Sequence, residues 1–122
     1  MRHCEAAPGS PDELRQLTAS GRDAARALGK RIAAAEPGAV LCSPLVRARQ
    51  TAEAIAEACG LDAEPDDRIG PGADAEAIRA AAADRDEPVV VVGHQPDWGE
   101  IVLAVTGRET TFPPGGLAEV EL

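Results

Sequence analysis

Apolar side chains along this chain of 122 residues switch between a helical and an extended period, and the switches mark the elements. Gly21, Ala25, Leu28, Ile32 and Ala35 recur at helical spacing, which predicts a helix with one buried face from about Ala19 to Ala35. Thr18 supplies an N-cap, and Glu36-Pro37-Gly38 stops the helix. Ala39 to Cys42 is a short apolar run read as a buried strand. Ser43-Pro44 follows at once, a preferred N-cap and a preferred first helical residue, so a second helix is expected to start there. Leu45, Ala48, Ala52, Ile55 and Cys59 form its buried stripe, and Gly60 ends it.

The second half continues the alternation. Leu61 to Ile69 is polar, contains Pro65 and reads as a loop with at most a short edge strand. Gly70-Pro71-Gly72 is a turn, and Asp74 can cap a third helix through about Ala83. Pro88 to Gly93 holds an unbroken run of valines without alternation, the pattern of a strand buried on both faces of a parallel sheet. Asp97, with Glu100 three residues later, resembles a capping box opening a helix that ends near Thr106-Gly107. The tail Leu117 to Leu122 alternates as a strand with one wet face would. Cys4 to Leu17 carries Pro8, Gly9, Ser10 and Pro11 and reads as a loop. Strands alternating with helices make the fold class α/β.

Composition narrows the class further. Hydrophobic residues are 44% and charged residues 27%, which is globular, and the length suits one domain over residues 1–122. Trp98 and Phe112 are the only aromatics, so the core is expected to be aliphatic and alanine-rich, burying little area per residue. A net charge of −9 argues against nucleic acid and against an anionic membrane surface as partners. Cys4, Cys42 and Cys59 lack metal-ligand spacing and read as reduced thiols of a cytoplasmic protein, so neither a metal nor a cofactor is expected. No apolar run approaches membrane-spanning length, and the first residues lack a signal-peptide core.

Chemistry concentrates on few residues. His3 and His94 are the only histidines, and His94 sits just past the valine run, where α/β proteins bind ligands. Arg2 precedes His3 directly, and Arg47 falls in the first turn of the second helix, off its apolar stripe. A helix start presents free N–H groups and the positive end of the helix dipole, so an arginine beside it makes an anion site.

These residues stand in recognisable motifs. Arg2-His3-x-x-Ala6, Asp12-x-x-Arg15-x-Leu17-Thr18-x-x-Gly21, Ser43-Pro44-Leu45-x-Arg47-Ala48-x-Gln50-Thr51-Ala52 and Val92-Gly93-His94, in that order, resemble the histidine phosphatase, or phosphoglycerate mutase-like, superfamily. The Arg15 to Gly21 pattern, the segment Ile69 to Asp74 and the small size are most similar to SixA-type phosphohistidine phosphatases. The resemblance implies a three-layer α/β/α sandwich around a mostly parallel sheet, with His3 as nucleophile and Arg2, Arg47 and His94 as the phosphate pocket. His94 counts among the catalytic residues as well. It implies a phosphatase that forms a phosphohistidine intermediate and takes a phosphorylated protein or a small phosphorylated molecule. The alternative is a weakly active or inactive phosphate-binding regulatory module. Neither the substrate nor an oligomeric state is specified.

The chain departs from the family pattern in three places. Cys4 stands where the family has glycine or alanine. The inserted acid of larger relatives is missing, which leaves Glu5 and Asp12 as the candidate general acids. The family's first strand is apparently lacking, since only Met1 precedes Arg2-His3; Met1 is therefore expected not to be the native start, or the chain to be clipped. Without that strand, the neighbourhood of Val91 is expected to face an unpaired gap.

Overall fold

The computed structural model describes residues 1–122. Its elements are α1 (Ala19–Ala33), β1 (Ala39–Cys42), α2 (Val46–Cys59), β2 (Ala63–Pro65), α3 (Ala75–Ala82), β3 (Val89–Val92) and α4 (Asp97–Thr106), with short 3-10 turns at Asp12–Leu14 and Asp67–Ile69. The strands form one parallel sheet of three in the order β2-β1-β3. Cys42 is level with Pro65 on one side and with Val92 on the other, so all three strands point their carboxyl ends the same way.

Strand alternation divides the core into two layers. Val40, Cys42 and Val92 face α1 and α2, where Ile32, Ala48, Ala52, Ile55 and Ala56 pack on them. Ala39 and Leu41 face the other way, against Ile69, Ile78, Trp98, Ile101 and Phe112 from α3, α4 and their flanking loops. The result is a helix layer on each face of a small sheet. Small residues let α1 and α2 approach closely: a Cβ on Gly29 would stand 3.0 Å from the Ala54 carbonyl oxygen and the Ala58 methyl.

The central strand is buried along its whole length, whereas Val89, Val90 and Val91 are half-buried, not covered on both faces as their apolar run predicts. The reason is position: β3 lies at one end of the ladder. Its outer edge is not left bare. The Met1 nitrogen donates to the Val91 carbonyl at 2.6 Å, Gly93 N–H donates to Met1 O at 2.9 Å, and His3 N–H donates to Gly93 O at 3.1 Å. Met1 to His3 thus continues the parallel ladder, and the expected gap beside Val91 is filled. Residues 112–116 line the far side, where Arg2 N–H donates to Gly116 O and Gly115 N–H to His3 O, each at 3.0 Å.

Several boundaries differ from the sequence expectation for identifiable reasons. The first helix ends at Ala33 instead of Ala35, because Glu36 takes a left-handed φ of 51° just ahead of Pro37. The second helix starts at Val46, with Leu45 as its extended N-cap, instead of at Ser43-Pro44; the Ser43 hydroxyl accepts from Leu45 N–H at 3.2 Å but stands outside the helix. Gly60 ends that helix as expected, at φ 70° in the left-handed region. Asp74 caps α3 through a 2.9 Å bond from Ala77 N–H. Asp97 and Glu100 form no capping box: Asp97 accepts from Gly72 N–H at 2.8 Å, and Gln95 instead accepts from Gly99 N–H at 2.9 Å. The tail Leu117 to Leu122 pairs with no strand; Ala118 and Val120 still turn toward the α3–α4 side, but no open sheet edge is left for them beside β3.

Gly21 holds the loop that follows His3 against the start of α1, since a Cβ there would fall 2.2 Å from the Glu5 carbonyl oxygen. That oxygen also accepts from Thr18 N–H at 3.0 Å, so neither backbone can retreat without breaking the join. Gly21→Ala is expected to lower unfolding free energy by roughly 1–3 kcal/mol, the usual cost of forcing extra volume into a packed contact, measured as a lower urea midpoint at unchanged slope.

Candidate active site

All of the chemistry-bearing side chains lie at the carboxyl end of the sheet. His3 follows the Met1–Arg2 segment on the edge of β3, His94 follows β3 itself, Ser43 follows β1, and Arg47 lies in the first turn of α2. The His3 and His94 rings stand 5.4 Å apart between centroids, tilted by 59°.

Each ring is held through one nitrogen. His3 Nδ1 donates to the Cys4 carbonyl at 2.8 Å, which places the proton on Nδ1 and the lone pair on Nε2. Arg47 Nε donates to that Nε2 at 3.1 Å. The rest of the guanidinium meets the Asp12–Leu14 turn, with Nη1 on Asp12 O at 2.9 Å and Nη2 on Asp12 Oδ2 at 3.2 Å. Arg47 is therefore buried at 7% exposure, not a solvated side chain of an arginine-rich helix. Thr51 braces the arrangement: its hydroxyl donates to Arg47 O at 2.9 Å and accepts from Cys4 N–H at 3.0 Å. On the other side, His94 Nε2 lies 2.7 Å from Ser43 Oγ.

Two buried side-chain polar atoms in the whole molecule lack a partner, and both belong to this cluster. They are Arg2 Nε and His94 Nδ1. Buried polar groups are almost always satisfied, so such a pair beside the His3 ring makes this the candidate place for a ligand. Arg2 Nη1 is engaged with Phe112 O at 3.0 Å, which fixes the guanidinium and leaves Nε over.

Electrostatics keep both rings uncharged. Burial pushes His3 down to about 4, with Arg47, Arg2 and Arg15 adding to the effect and the Cys4 carbonyl opposing it. Burial likewise takes His94 to about 4, aided by Arg47 and the His3 ring. The candidate acids behave differently. Glu5 accepts from the Thr18 and Ser20 hydroxyls at 2.8 and 2.9 Å, which tie it to the start of α1 and hold its carboxyl low. Asp12 sits against Arg47, and bonds from Arg15 and the charge of Arg47 also hold it low.

A concavity of about 330 Å³ lies elsewhere, between β2 and the end of α3. Its cations are already neutralised, Arg68 by Asp66 and Arg85 by Glu64, so it offers an anion little.

The family model described as histidine phosphatase superfamily (branch 1) matches residues 2–70, more than half of the chain and the part that carries Arg2, His3 and Arg47. The chain belongs to the histidine phosphatase superfamily. Among solved structures, the protein histidine phosphatase SixA complexed with tungstate superposes with a TM-score of 0.80 at 28% identity, over 93% of this chain and 80% of that one. SixA of Agrobacterium tumefaciens, assigned as a phosphohistidine phosphatase, gives a TM-score of 0.73 at 29% identity over 88% and 74%. A mycobacterial glucosyl-3-phosphoglycerate phosphatase, at 18% identity and a TM-score of 0.63 over 88% of this chain and 77% of that one, shares the fold. No curated protein sequence matches the chain. No helix is long and apolar enough to cross a membrane.

His3, Arg47 and His94, singled out in the sequence as the phosphatase site, are brought together, with Arg2 close enough for its charge to act on both rings; of the two candidate acids only Asp12 joins them. Ser43, a helix cap by residue type, partners His94 instead. A usable signal was present, because Ser43 follows β1 as His94 follows β3, and the register sets the ends of those strands side by side. The roles of the Phe112 carbonyl and of Thr51 depend on tertiary contacts and had no local signature.

Burying two neutral rings links the fold to pH. Each imidazole is ordinary at 6.5 when unfolded and titrates at about 4 when folded, so the unfolded chain binds more protons in that interval. The stability contributed by neutral burial is fully present above 6.5 and is lost as pH falls toward about 4. The urea midpoint is expected to drop between about pH 7 and about pH 5, and less so in a His94→Asn variant. A midpoint equally steep in pH for both proteins contradicts the burial.

Proposed function

We propose that this chain is a phosphatase that works through a phosphohistidine at His3, without a metal, on protein phosphohistidine or on small phosphomonoesters. The observation that carries the reading is the placing of one held lone pair, on His3 Nε2, with two buried nitrogens that have no partner, Arg2 Nε and His94 Nδ1. A phosphoryl group supplies partners for both: an electrophilic phosphorus for the lone pair and oxygens that accept from Arg2 Nε and from any N–H on His94 Nδ1.

The steps follow from the geometry. His3 is neutral above about pH 4, so its Nε2 pair is available at working pH. That pair attacks phosphorus, the bond to the leaving group breaks, and the leaving group departs with the bonding pair. Water then attacks phosphorus, the bond to Nε2 breaks, and phosphate is released. Throughout, charge on the equatorial oxygens is met by Arg2, Arg47 and His94, which the fold gathers at the strand ends. The phosphoryl group must first turn Arg47 Nε away from His3 Nε2, and an anion that takes over the guanidinium compensates for the bond it breaks.

Two points favour phosphohistidine over an ester. Glu5 and Asp12 are both held in the ionised form by their partners, so neither stands ready as a resting acid. A phosphoramidate needs less acid assistance than an alkoxide, because its imidazole leaves readily. The second favouring point is the structural similarity to a protein histidine phosphatase.

The regulatory alternative, a module that binds phosphate and turns over poorly, draws on one observation. Arg47 Nε already occupies the His3 lone pair. Turnover separates the two readings. Release of phosphate from a phosphohistidine peptide is expected to exceed release from p-nitrophenyl phosphate. Arg47→Ala is expected to reduce kcat/KM by about a hundredfold to a thousandfold, as for loss of one transition-state donor. Arg47→Lys recovers only part of this, since an ammonium cannot present a planar fork. Binding of tungstate without hydrolysis of either substrate would favour the regulatory module.

A further inference from the structure

His94 is fully engaged at one nitrogen and bare at the other, and its partner decides which form the ring takes. Ser43 is wholly buried; its Oγ lies 2.7 Å from His94 Nε2 and accepts from Leu45 N–H at 3.2 Å. No other group bonds to that hydroxyl. A hydroxyl has one proton to give and two lone pairs to fill, so two arrangements are open.

In one, His94 carries its proton on Nε2 and donates it to Ser43. The Ser43 proton then has no acceptor, and the lone pair on Nδ1 is buried without a donor. In the other, Ser43 donates to Nε2. Its oxygen still accepts from Leu45, and the one group left over is an N–H at Nδ1. The first arrangement strands two buried polar groups and the second strands one, so the second is preferred.

We infer that Ser43 is a positioning residue that fixes His94 in the Nδ1–H form, so that the ring presents a hydrogen-bond donor to the phosphoryl group. The acceptor in this statement rests on the phosphatase reading; the tautomer does not. His3 carries its proton on Nδ1 as well, but gives it to the Cys4 carbonyl and keeps the Nε2 lone pair for attack. One tautomer thus serves opposite ends: His3 offers electrons and His94 offers a proton to share. The two roles are separated by what the sheet places beside each ring, a carbonyl beside one and a hydroxyl beside the other.

With only two histidines, imidazole nitrogen NMR of the isotopically labelled protein near neutral pH resolves every ring nitrogen, and a His94→Asn variant assigns them. The wild-type chain is expected to show a protonated Nδ1 and a bare Nε2 on His94; the reverse pattern overturns the inference. Ser43→Ala is expected to shift His94 toward a mixture of the two forms. It is also expected to weaken tungstate binding and lower kcat by about fivefold to tenfold each, the scale of one hydrogen bond. Ser43→Thr, which keeps the hydroxyl, is expected to restore the tautomer and most of the rate. Wild-type tautomer and turnover in Ser43→Ala overturn the role of Ser43. Should that variant fail to fold, the wild-type spectrum decides alone. A wild-type Nδ1–H without phosphoryl turnover supports the tautomer and counts only against the phosphatase reading.

Discussion

The bond from His3 N–H to Gly93 O, with its neighbour from Gly93 N–H to Met1 O, sets the geometry on which the site depends. It joins the segment bearing one histidine to the residue just before the other, so the ring spacing follows from the ladder and not from side-chain packing. Backbone bonds of this kind tolerate changes in nearby side chains, which suits a site whose floor is a three-stranded sheet. Residues 112–116 press the same segment from outside, and Trp98 donates to Met1 O at 2.6 Å from below. His3 is thus fixed by contacts from both halves of the chain.

Around that frame, burial and charge act in one direction. Burial, aided by the arginines gathered at the strand ends, keeps the two rings neutral. The chain is strongly acidic overall, yet around the His3 ring positive charge collects locally, from Arg2, Arg15 and Arg47. Asp12 meets the Arg47 guanidinium with its carbonyl and one carboxylate oxygen, a charge-assisted contact.

Much of this was legible in the sequence. The valine run, the Ala39–Cys42 strand and the helical stripes located the elements, because apolar periodicity reports which face meets the core. His94 was legible because it stands just after the valine run and Arg47 because it falls in the first turn of a helix, while Arg2 and His3 were legible through the motif shared with the histidine phosphatase superfamily. What escaped was tertiary in origin. Ser43 and Asp97 look like helix caps by residue type, yet each bonds across the fold, to His94 and to Gly72. The tail has the alternation of a strand, but a strand also needs an open edge, and Met1 to His3 has taken the edge of β3. The half-exposure of Val89 to Val91 follows from strand order, which no single stretch encodes.

Covalent capture of the intermediate tests the central claim most directly. The purified chain is mixed with a reactive phosphoryl donor, quenched in alkali that preserves phosphohistidine, and the modified peptide is mapped by mass. Phosphate on His3, absent in His3→Ala, is the result this account requires. A folded, tungstate-binding chain that never carries label on His3 would contradict it.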